Sequence, residues 1–394
     1  MHAELPSCDF CGKDSLAFAY QPDGSSRGLK VYICRDCGLV QSAPRIDRTE
    51  TRHAAAVSSG ADWGNVRYGK GFRTQAAMDA LARHTDLTQA LTLLDVGSNR
   101  GRFAAAFLEA APKAGITAVE PDERYAGSCE DLSRTELIWS RIEDTKLADG
   151  RFDIVHSCHT IEHLANPFAS LKDHARVLKP GGLLVLDAPN LALIGGDDIL
   201  EEWFIDKHLY HFSEAMLGRM IESAGFEIIE HPDPNDRINL LFVARKAATV
   251  SREIAADPAE AIRALNLVAS YVTTRSANNA ALIGAARELE SLKTQRVALW
   301  GAGRLFDSLV RVGGFDPSML THLIDAHLIQ HMDSRHGVRL SPPHALTGSM
   351  ADVVVVMSRG FADEITVEVK RLAPKARVIL YADLLARARL AKAA

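Results

Sequence analysis

Two glycines and two acidic residues near position 100 have the types and spacing of a nucleotide-binding turn. Asp95 ends an apolar run that begins at Leu91, and Gly97 and Gly101 follow before the helix-favouring residues 103–108. This order predicts a β-strand, a tight glycine turn and an α-helix. Such a turn lets the backbone approach a ligand closely and directs free N–H groups at its polar atoms.

Glu120 is the second acidic residue, and it directly follows the next predicted strand, residues 116–119. In α/β sheets that bind adenosine, an acidic residue at this place accepts the ribose hydroxyls. The turn lacks the G-x-G-x-x-G spacing of the dinucleotide fingerprint. We therefore expect a cofactor that contains adenosine but is not a dinucleotide. The alternative is a Rossmann unit of another kind that binds adenosine.

The pattern Asp-x-Gly-x-x-x-Gly resembles motif I of class I S-adenosylmethionine (SAM) methyltransferases. Residues 152–164 resemble the fourth strand of that family with the start of the next helix, and residues 176–190 resemble its fifth strand. The resemblance implies a Rossmann-like α/β domain that binds SAM. It implies these cofactor-binding residues: Asp95, Gly97, Ser98, Asn99, Gly101, Glu120, Pro121, Ile142, Glu143, Ser157 and Cys158.

Four of the six cysteines form two C-x-x-C pairs near the start of the chain, Cys8/Cys11 and Cys34/Cys37. Each pair can present two thiolates to one ion, and the glycine after its second cysteine permits the bend. In a reducing compartment this pattern favours a metal over disulfides. We therefore predict a structural zinc site with four cysteine ligands, which is coordinatively closed and does no chemistry itself.

Ionisable side chains are grouped in residues 201–213, ahead of Ser213, a suitable N-cap for the following helix. If the segment is extended, Asp206, His208 and Tyr210 share one side, because strand side chains alternate. Loop histidines beside a carboxylate are candidates for a general base. The alternative is that these side chains serve packing only.

Length and composition bound the class of protein. The 394 residues exceed what one core usually organises, so we expect two or three domains. A net charge of −5 provides no basic field for nucleic acid or membrane. The start of the chain lacks the signal-peptide pattern, and no apolar run reaches the ~20 residues that span a bilayer. We expect a cytoplasmic protein with a small-molecule substrate, and the oligomeric state stays open.

Changes of pattern divide the chain into residues 1–69, a zinc-binding module with its linker, 70–248, the SAM-type domain, and 249–394, a helical bridge with a smaller Rossmann-like domain. In the last part a strand, a glycine turn and a helix recur at 296–306. Phe306 stands where a third glycine would complete the dinucleotide fingerprint. We expect a second parallel sheet there, which serves either nucleotide recognition or as a scaffold.

This order of domains resembles the three-domain nucleotide-sugar C-methyltransferases. The resemblance implies that a nucleotide-diphosphate keto sugar is methylated on carbon: a histidine removes the proton beside the ketone, and the enolate attacks the SAM methyl group. His208 matches that histidine, within a run reading Ile205-Asp206-Lys207-His208 where the family commonly has Tyr-Asp-Glu-His. The catalytic residues so implied are His208, Tyr210, His211 and Asp206.

Two other hypotheses stay open. A SAM methyltransferase with the same residues can act on a different small metabolite or on a carrier-bound acyl group. A regulatory module can bind SAM without catalysis. The complete set of Asp95, Gly97, Gly101 and Glu120 favours retention of the cofactor.

Overall fold

The structure is a computed structural model that describes residues 7–22, 25, 28–44, 72–194, 203–248, 254–348, 351–358 and 360–393. The predicted linker after the zinc-binding module lies outside the described residues. The described chain forms two compact units, which divide between residues 270 and 271.

The first unit alternates strands and helices along most of its length. Its elements are β1 (Leu16–Tyr20), β2 (Lys30–Cys34), β3 (Val40–Ala43), α1 (Phe72–His84), β4 (Thr92–Val96), α2 (Arg102–Ala110), β5 (Gly115–Val119), α3 (Ala126–Cys129), β6 (Thr135–Ile138), β7 (Phe152–Cys158), α4 (Pro167–Val177), β8 (Leu178–Pro189), β9 (Tyr210–His211), α5 (Glu214–Ser223), β10 (Phe226–Glu230) and β11 (Asn239–Lys246). Helix α6 (Pro258–Glu290) begins in this unit.

Seven strands form the central sheet of the first unit, in the order β10-β11-β8-β7-β4-β5-β6. Strands β4 to β8 are parallel, and β10 and β11 add an antiparallel hairpin. This arrangement confirms the predicted Rossmann-like fold of class I SAM methyltransferases. The carboxyl ends of the parallel strands meet at one edge, where ligands bind in such sheets.

Local sequence signals set the starts of two helices that cover this sheet. Before α4, the Asn166 side chain accepts a hydrogen bond from the N–H of Ala169 at 2.8 Å, and Pro167 occupies the first helical position. Before α5, Ser213 Oγ accepts from the N–H of Met216 at 3.1 Å, as its position predicted. Helix α5 then buries one face, formed by Met216, Leu217, Met220 and Ile221.

A small antiparallel sheet joins the cysteine-containing segment to the central domain. Its order is β1-β2-β3-β9, and β3 pairs with β9 through Val40 opposite His211 and Gln41 opposite Tyr210. The rings of Phe10 and Phe168 meet edge to face at 5.2 Å. The cysteine-containing segment is therefore part of the first compact unit, and its last strand partner carries two of the implied catalytic residues.

The second unit contains the rest of α6 and a smaller sheet. Its further elements are β12 (Val297–Trp300), α7 (Arg304–Arg311), β13 (Leu320–Ile324), β14 (Ser334–Arg335), β15 (Val338–Ser341), β16 (Val353–Val356), α8 (Ala362–Leu372), β17 (Arg377–Leu380) and α9 (Tyr381–Ala393). The strand order of the sheet is β14-β15-β13-β12-β16-β17. The five strands β15, β13, β12, β16 and β17 pair in parallel, which confirms the prediction of a second, smaller parallel sheet.

The glycine turn of the second unit is closed by its own acidic residue. Asp325 accepts hydrogen bonds from the N–H groups of Ala302, His327 and Leu328 at 2.9–3.0 Å. Phe306 is fully buried in the core. These contacts give Asp325 a structural role in this unit.

None of the helices in the described ranges combines the length and apolar character needed to cross a bilayer.

Candidate active site

Gly97 and Gly101 shape the turn between β4 and α2. Both adopt left-handed conformations, with φ of 76° and 70°. A Cβ on Gly97 would lie 2.2 Å from Thr160 Oγ1, and a Cβ on Gly101 would lie 2.6 Å from a Leu132 methyl carbon. Because any side chain would clash here, the turn requires glycine at both positions.

Glu120 lies at the end of β5 beside this turn, and its side chain is buried. Its two oxygens accept hydrogen bonds from the N–H groups of Asn99 and Asp122, at 2.8 and 2.9 Å. Burial raises the pKa of Glu120, and these two hydrogen bonds oppose that shift. Each carboxylate oxygen can still accept a second hydrogen bond, so the group fits the two hydroxyls of an adenosine ribose.

Asp95 forms a buried pair with His156, a residue that the sequence analysis did not single out. His156 Nδ1 donates to Asp95 Oδ1 at 2.7 Å, and both side chains are buried. The imidazole stacks on Phe103 with ring centroids 3.5 Å apart. The partner follows from strand pairing, because Asp95 lies opposite His156 where β4 and β7 run side by side.

Several buried polar atoms at the carboxyl edge have no hydrogen-bond partner among the described residues. They are Asp95 Oδ2, Ser98 Oγ, Ser157 Oγ, Glu162 Oε2 and Asp187 Oδ1. An unpartnered buried polar group costs about 1–3 kcal/mol. Their concentration at one edge of the sheet fits a polar ligand that supplies the missing partners.

The remaining cofactor candidates lie around the same edge. Pro121 is half-buried next to Glu120. Ile142 packs against the core in a single turn of 3-10 helix, and Glu143 accepts from the N–H of Ala165 at 2.9 Å. Cys158 Sγ lies 3.5 Å from Asp187 Oδ2, and burial raises the pKa of this thiol well above its ordinary value. A protonated thiol is a weak nucleophile.

The segment with the candidate base is not one continuous strand, so Asp206, His208 and Tyr210 do not share one strand face as expected. Residues 206–207 form a turn, and only Tyr210 and His211 belong to a strand. The N–H of His208 closes the turn on the carbonyl of Ile205 at 2.9 Å. Side chains alternate between two faces only within a strand. Here the hydrogen bond between His208 and Ile205 forms a turn instead.

The other implied catalytic residues occupy distinct surroundings. Asp206 accepts a hydrogen bond from Ser25 at 2.5 Å. The hydroxyl of Tyr210 lies 2.8 Å from Asp9 Oδ2 and 2.8 Å from the carbonyl of Ala165. His211 is buried edge-on against Phe204, and burial lowers its pKa to about 3. Asp206 and Tyr210 are thus bound to the cysteine-containing segment.

His208 lies instead beside Glu162 and His163, which the sequence analysis did not select. One ligand-type atom of each of the three lies within 4.8 Å of the others. Burial raises the pKa of Glu162 to about 7, lowers that of His163 to about 4 and lowers that of His208 well below its ordinary value. The sequence signal for this pair is an acidic residue and a histidine shortly after the end of a predicted strand.

The four N-terminal cysteines come together as predicted. Cys8 and Cys37 lie 3.5 Å apart between sulfurs, and Cys11 and Cys34 lie 3.6 Å apart. Four thiolates around a tetrahedral Zn²⁺ at about 2.3 Å are separated by about 3.8 Å. The cluster therefore has the dimensions of a structural zinc site.

Comparison with known proteins identifies one domain. Residues 70–231 match the family described as a methyltransferase domain. An uncharacterized methyltransferase of Mycolicibacterium gilvum is 40% identical over 119 residues, covering 29% of this chain and 46% of that protein. One of Mycobacterium tuberculosis is 37% identical over 126 residues, covering 29% and 48%. The chain spans about half the length of the curated relatives it matches.

Among solved structures, the 1,6-didemethyltoxoflavin-N1-methyltransferase of Burkholderia thailandensis, with bound 1,6-didemethyltoxoflavin and S-adenosylhomocysteine, is 20% identical. The match covers 59% of this chain and 100% of that one, with a TM-score of 0.41. A SAM-dependent methyltransferase of Aquifex aeolicus is 18% identical over 43% and 89% of the two chains, with a TM-score of 0.35. At this level of similarity, neither structure indicates an acceptor.

Proposed function

We propose that this chain is a SAM-dependent methyltransferase that acts on a small molecule. The methyltransferase-domain match over residues 70–231 supports the activity. The observation that carries the cofactor assignment is the Glu120 carboxylate, held by the N–H of Asn99 beside a turn that only glycine can form. Bound SAM supplies an electrophilic methyl group on a positively charged sulfonium.

For the acceptor, we propose a carbon of a nucleotide-linked keto sugar, with His208 as the base that forms the enolate. His208 Nδ1 donates to the carbonyl of Trp203 at 3.1 Å, so Nε2 carries the lone pair of the neutral ring. Burial lowers the pKa of His208 well below its ordinary value, which keeps the ring neutral and also makes it a weaker base. A neutral imidazole with a free Nε2 can take a proton from a carbon beside a ketone.

Asp206, Tyr210 and His211 act in this proposal as positioning residues. The contacts of Asp206 with Ser25 and of Tyr210 with Asp9 hold both ends of the His208 segment. His211 lies in β9, with its ring centroid 6.3 Å from that of His208. These contacts hold the segment that carries the proposed base.

A different acceptor is the second candidate, because the chain departs from the family pattern at two positions. Ile205 and Lys207 stand where the nucleotide-sugar enzymes commonly have tyrosine and glutamate. A SAM methyltransferase with this segment can act on a non-sugar metabolite or a carrier-bound acyl group. The outcome of nucleotide binding separates the two candidates.

We further propose that the four N-terminal cysteines hold a structural Zn²⁺. The distances between their sulfur atoms support this proposal. The cysteine-containing segment also needs a stable fold, because its strand β3 pairs with β9, which directly follows Leu209. The ion would stabilise the small sheet and take no part in methyl transfer.

Titration calorimetry of zinc-loaded protein with SAM and with S-adenosylhomocysteine tests the cofactor assignment, and we expect one site per chain for each. Absence of heat with both would contradict it. Thermal-shift measurements with thymidine and guanosine diphosphates then test the acceptor. A raised melting temperature with either supports a nucleotide-linked substrate, and no shift with any nucleotide favours the second candidate.

A further inference from the structure

We propose that Glu162, His163 and His208 bind one divalent transition-metal ion, such as Zn²⁺ or Fe²⁺, at a second site separate from the four cysteines. The three residues each offer one ligand atom, and these atoms lie within 4.8 Å of one another. His163 Nε2 is 3.7 Å from Glu162 Oε1. Ligands of a tetrahedral ion at about 2.0–2.2 Å are about 3.3–3.6 Å apart, so small side-chain rotations complete the site.

Hydrogen bonds to backbone carbonyls orient both imidazoles for metal binding. His163 Nδ1 donates to the carbonyl of Lys207 at 2.8 Å, and His208 Nδ1 donates to the carbonyl of Trp203 at 3.1 Å. Each Nε2 is thereby left unprotonated. Histidine ligands in metal sites make this same bond from the second nitrogen, which fixes the tautomer and the ring direction.

The carboxylate of Glu162 is buried, and one of its two oxygens lacks a hydrogen-bond partner among the described residues. The residue is 2% exposed, and that oxygen is Oε2. A buried carboxylate is costly unless it is paired or coordinates a metal. A cation held by Glu162, His163 and His208 would compensate the charge of this buried carboxylate.

The backbone holds the ligands together in advance. Glu162 and His163 are consecutive in the short helical turn Ile161–His163 that follows β7. Leu209 follows His208 in the chain, and its N–H donates to the carbonyl of Glu162 at 2.8 Å. Together with the bond from His163 to Lys207, this contact ties the two ligand segments to each other.

The chemistry of the donor set selects the metal. Two imidazoles and one carboxylate suit zinc, iron and their first-row neighbours rather than Mg²⁺ or Ca²⁺, which take all-oxygen ligands. Three protein ligands leave at least one coordination position open. An exchangeable water or an acceptor oxygen can occupy that position.

This metal site goes beyond the proposed function, but the metal and the proposed base chemistry both require the same atom, His208 Nε2. His208 Nε2 cannot hold an ion and accept a proton at the same time. If His208 is the base, added metal inhibits methyl transfer. If metal instead activates the acceptor, turnover rises with occupancy and the base assignment is wrong, while the metal site stands.

The test is a titration of full-length protein, with zinc already in the four-cysteine site, by Co²⁺ under visible absorption. We expect one further equivalent with d–d bands and no thiolate charge-transfer band, since the site has no sulfur ligand. Glu162→Gln and His208→Asn should each weaken binding beyond the roughly 10–100-fold cost of losing a group that only hydrogen-bonds to a ligand. His231→Asn, at an exposed histidine, is the matched control and should bind as the wild type does.

Circular dichroism and thermal unfolding establish that each variant is folded, and His163→Gln is a third ligand variant if one of the others fails to fold. Absence of the further Co²⁺ equivalent in the wild type overturns the proposal. So does equal Co²⁺ affinity in the wild type and in folded His208→Asn protein.

Discussion

His208 is held by one backbone hydrogen bond in the orientation that a general base needs, and its role can be tested by a single substitution. His208→Asn keeps a polar side chain but removes the basic nitrogen. We expect turnover to fall roughly 10²–10⁴-fold, because this is the usual contribution of a positioned base. SAM affinity, measured by calorimetry, should stay near the wild-type value. His231→Asn provides the control, and unchanged turnover in His208→Asn would remove this residue from the mechanism.

The Glu120 carboxylate is the residue on which cofactor affinity should depend most. Glu120→Gln keeps the size of the side chain but removes its charge and half of its acceptor capacity. A hydrogen bond to a charged group contributes about 1.5–3 kcal/mol, so SAM affinity should fall about 10–150-fold. Calorimetry measures this directly. Equal SAM affinity in wild type and variant would place the ribose elsewhere.

His174 makes the stability of the protein depend on pH. It is 1% exposed in α4, neither ring nitrogen has a hydrogen-bond partner in the described part of the chain, and burial lowers its pKa to about 4 from 6.5. Between these values the unfolded chain binds a proton that the folded chain does not. Stability is therefore complete above about pH 6.5 and is lost as the pH falls towards about 4, by about 3 kcal/mol in total.

Urea unfolding of wild type and His174→Leu from about pH 7.5 to about pH 5 measures this contribution. We expect a smaller loss of unfolding free energy in the variant over that range, because leucine binds no proton in either state. Other buried histidines, such as His211, will keep part of the slope. An identical slope in both proteins would contradict the assignment to His174.

The turn between β4 and α2 depends on the left-handed backbone conformation of Gly97 and on the close packing around it. Gly97→Ala and Gly150→Ala both place alanine at a positive φ, of 76° and 59°. Only at Gly97 would the new Cβ meet another atom closely, since the space at Gly150 is open within 4 Å. Both variants should lose about 1–2 kcal/mol from the left-handed conformation.

Gly97→Ala should lose further stability and most SAM binding, because relief of the clash with Thr160 must move the turn. Urea unfolding and calorimetry on the two variants separate these effects. If Gly97→Ala matched Gly150→Ala in both measurements, close packing of the turn would not matter for the cofactor.

The cysteine-containing segment is joined to the proposed catalytic segment through the β3–β9 pairing, so loss of zinc should affect the first unit beyond the cysteines. After chelation, or in Cys11→Ser, we expect faster hydrogen exchange in β1 to β3 and in β9, with a lower melting temperature. Strands β5 and β6, in the central sheet, serve as the internal control. Unchanged exchange at β9 would show that the small sheet persists without the metal.

Sequence periodicity, glycine spacing and capping residues determined much of this protein. The strand–turn–helix at residues 91–108, the Ser213 cap and the cysteine pairs were readable because each depends on residues close together in the chain. The parallel sheet followed from the alternation of strands and helices. These local signals also placed Asp95 and Glu120 at strand ends, where the structure has them.

The tertiary structure alone decided which side chains meet. His156 is the partner of Asp95 because β4 and β7 are neighbours, although they are far apart in sequence. The turn at residues 206–207 overrode the expected alternation and brought His208 to Glu162 and His163, while Tyr210 turned to Asp9. Such contacts depend on strand order and on burial of polar groups across distant segments, and neither quantity is present in any local stretch of sequence.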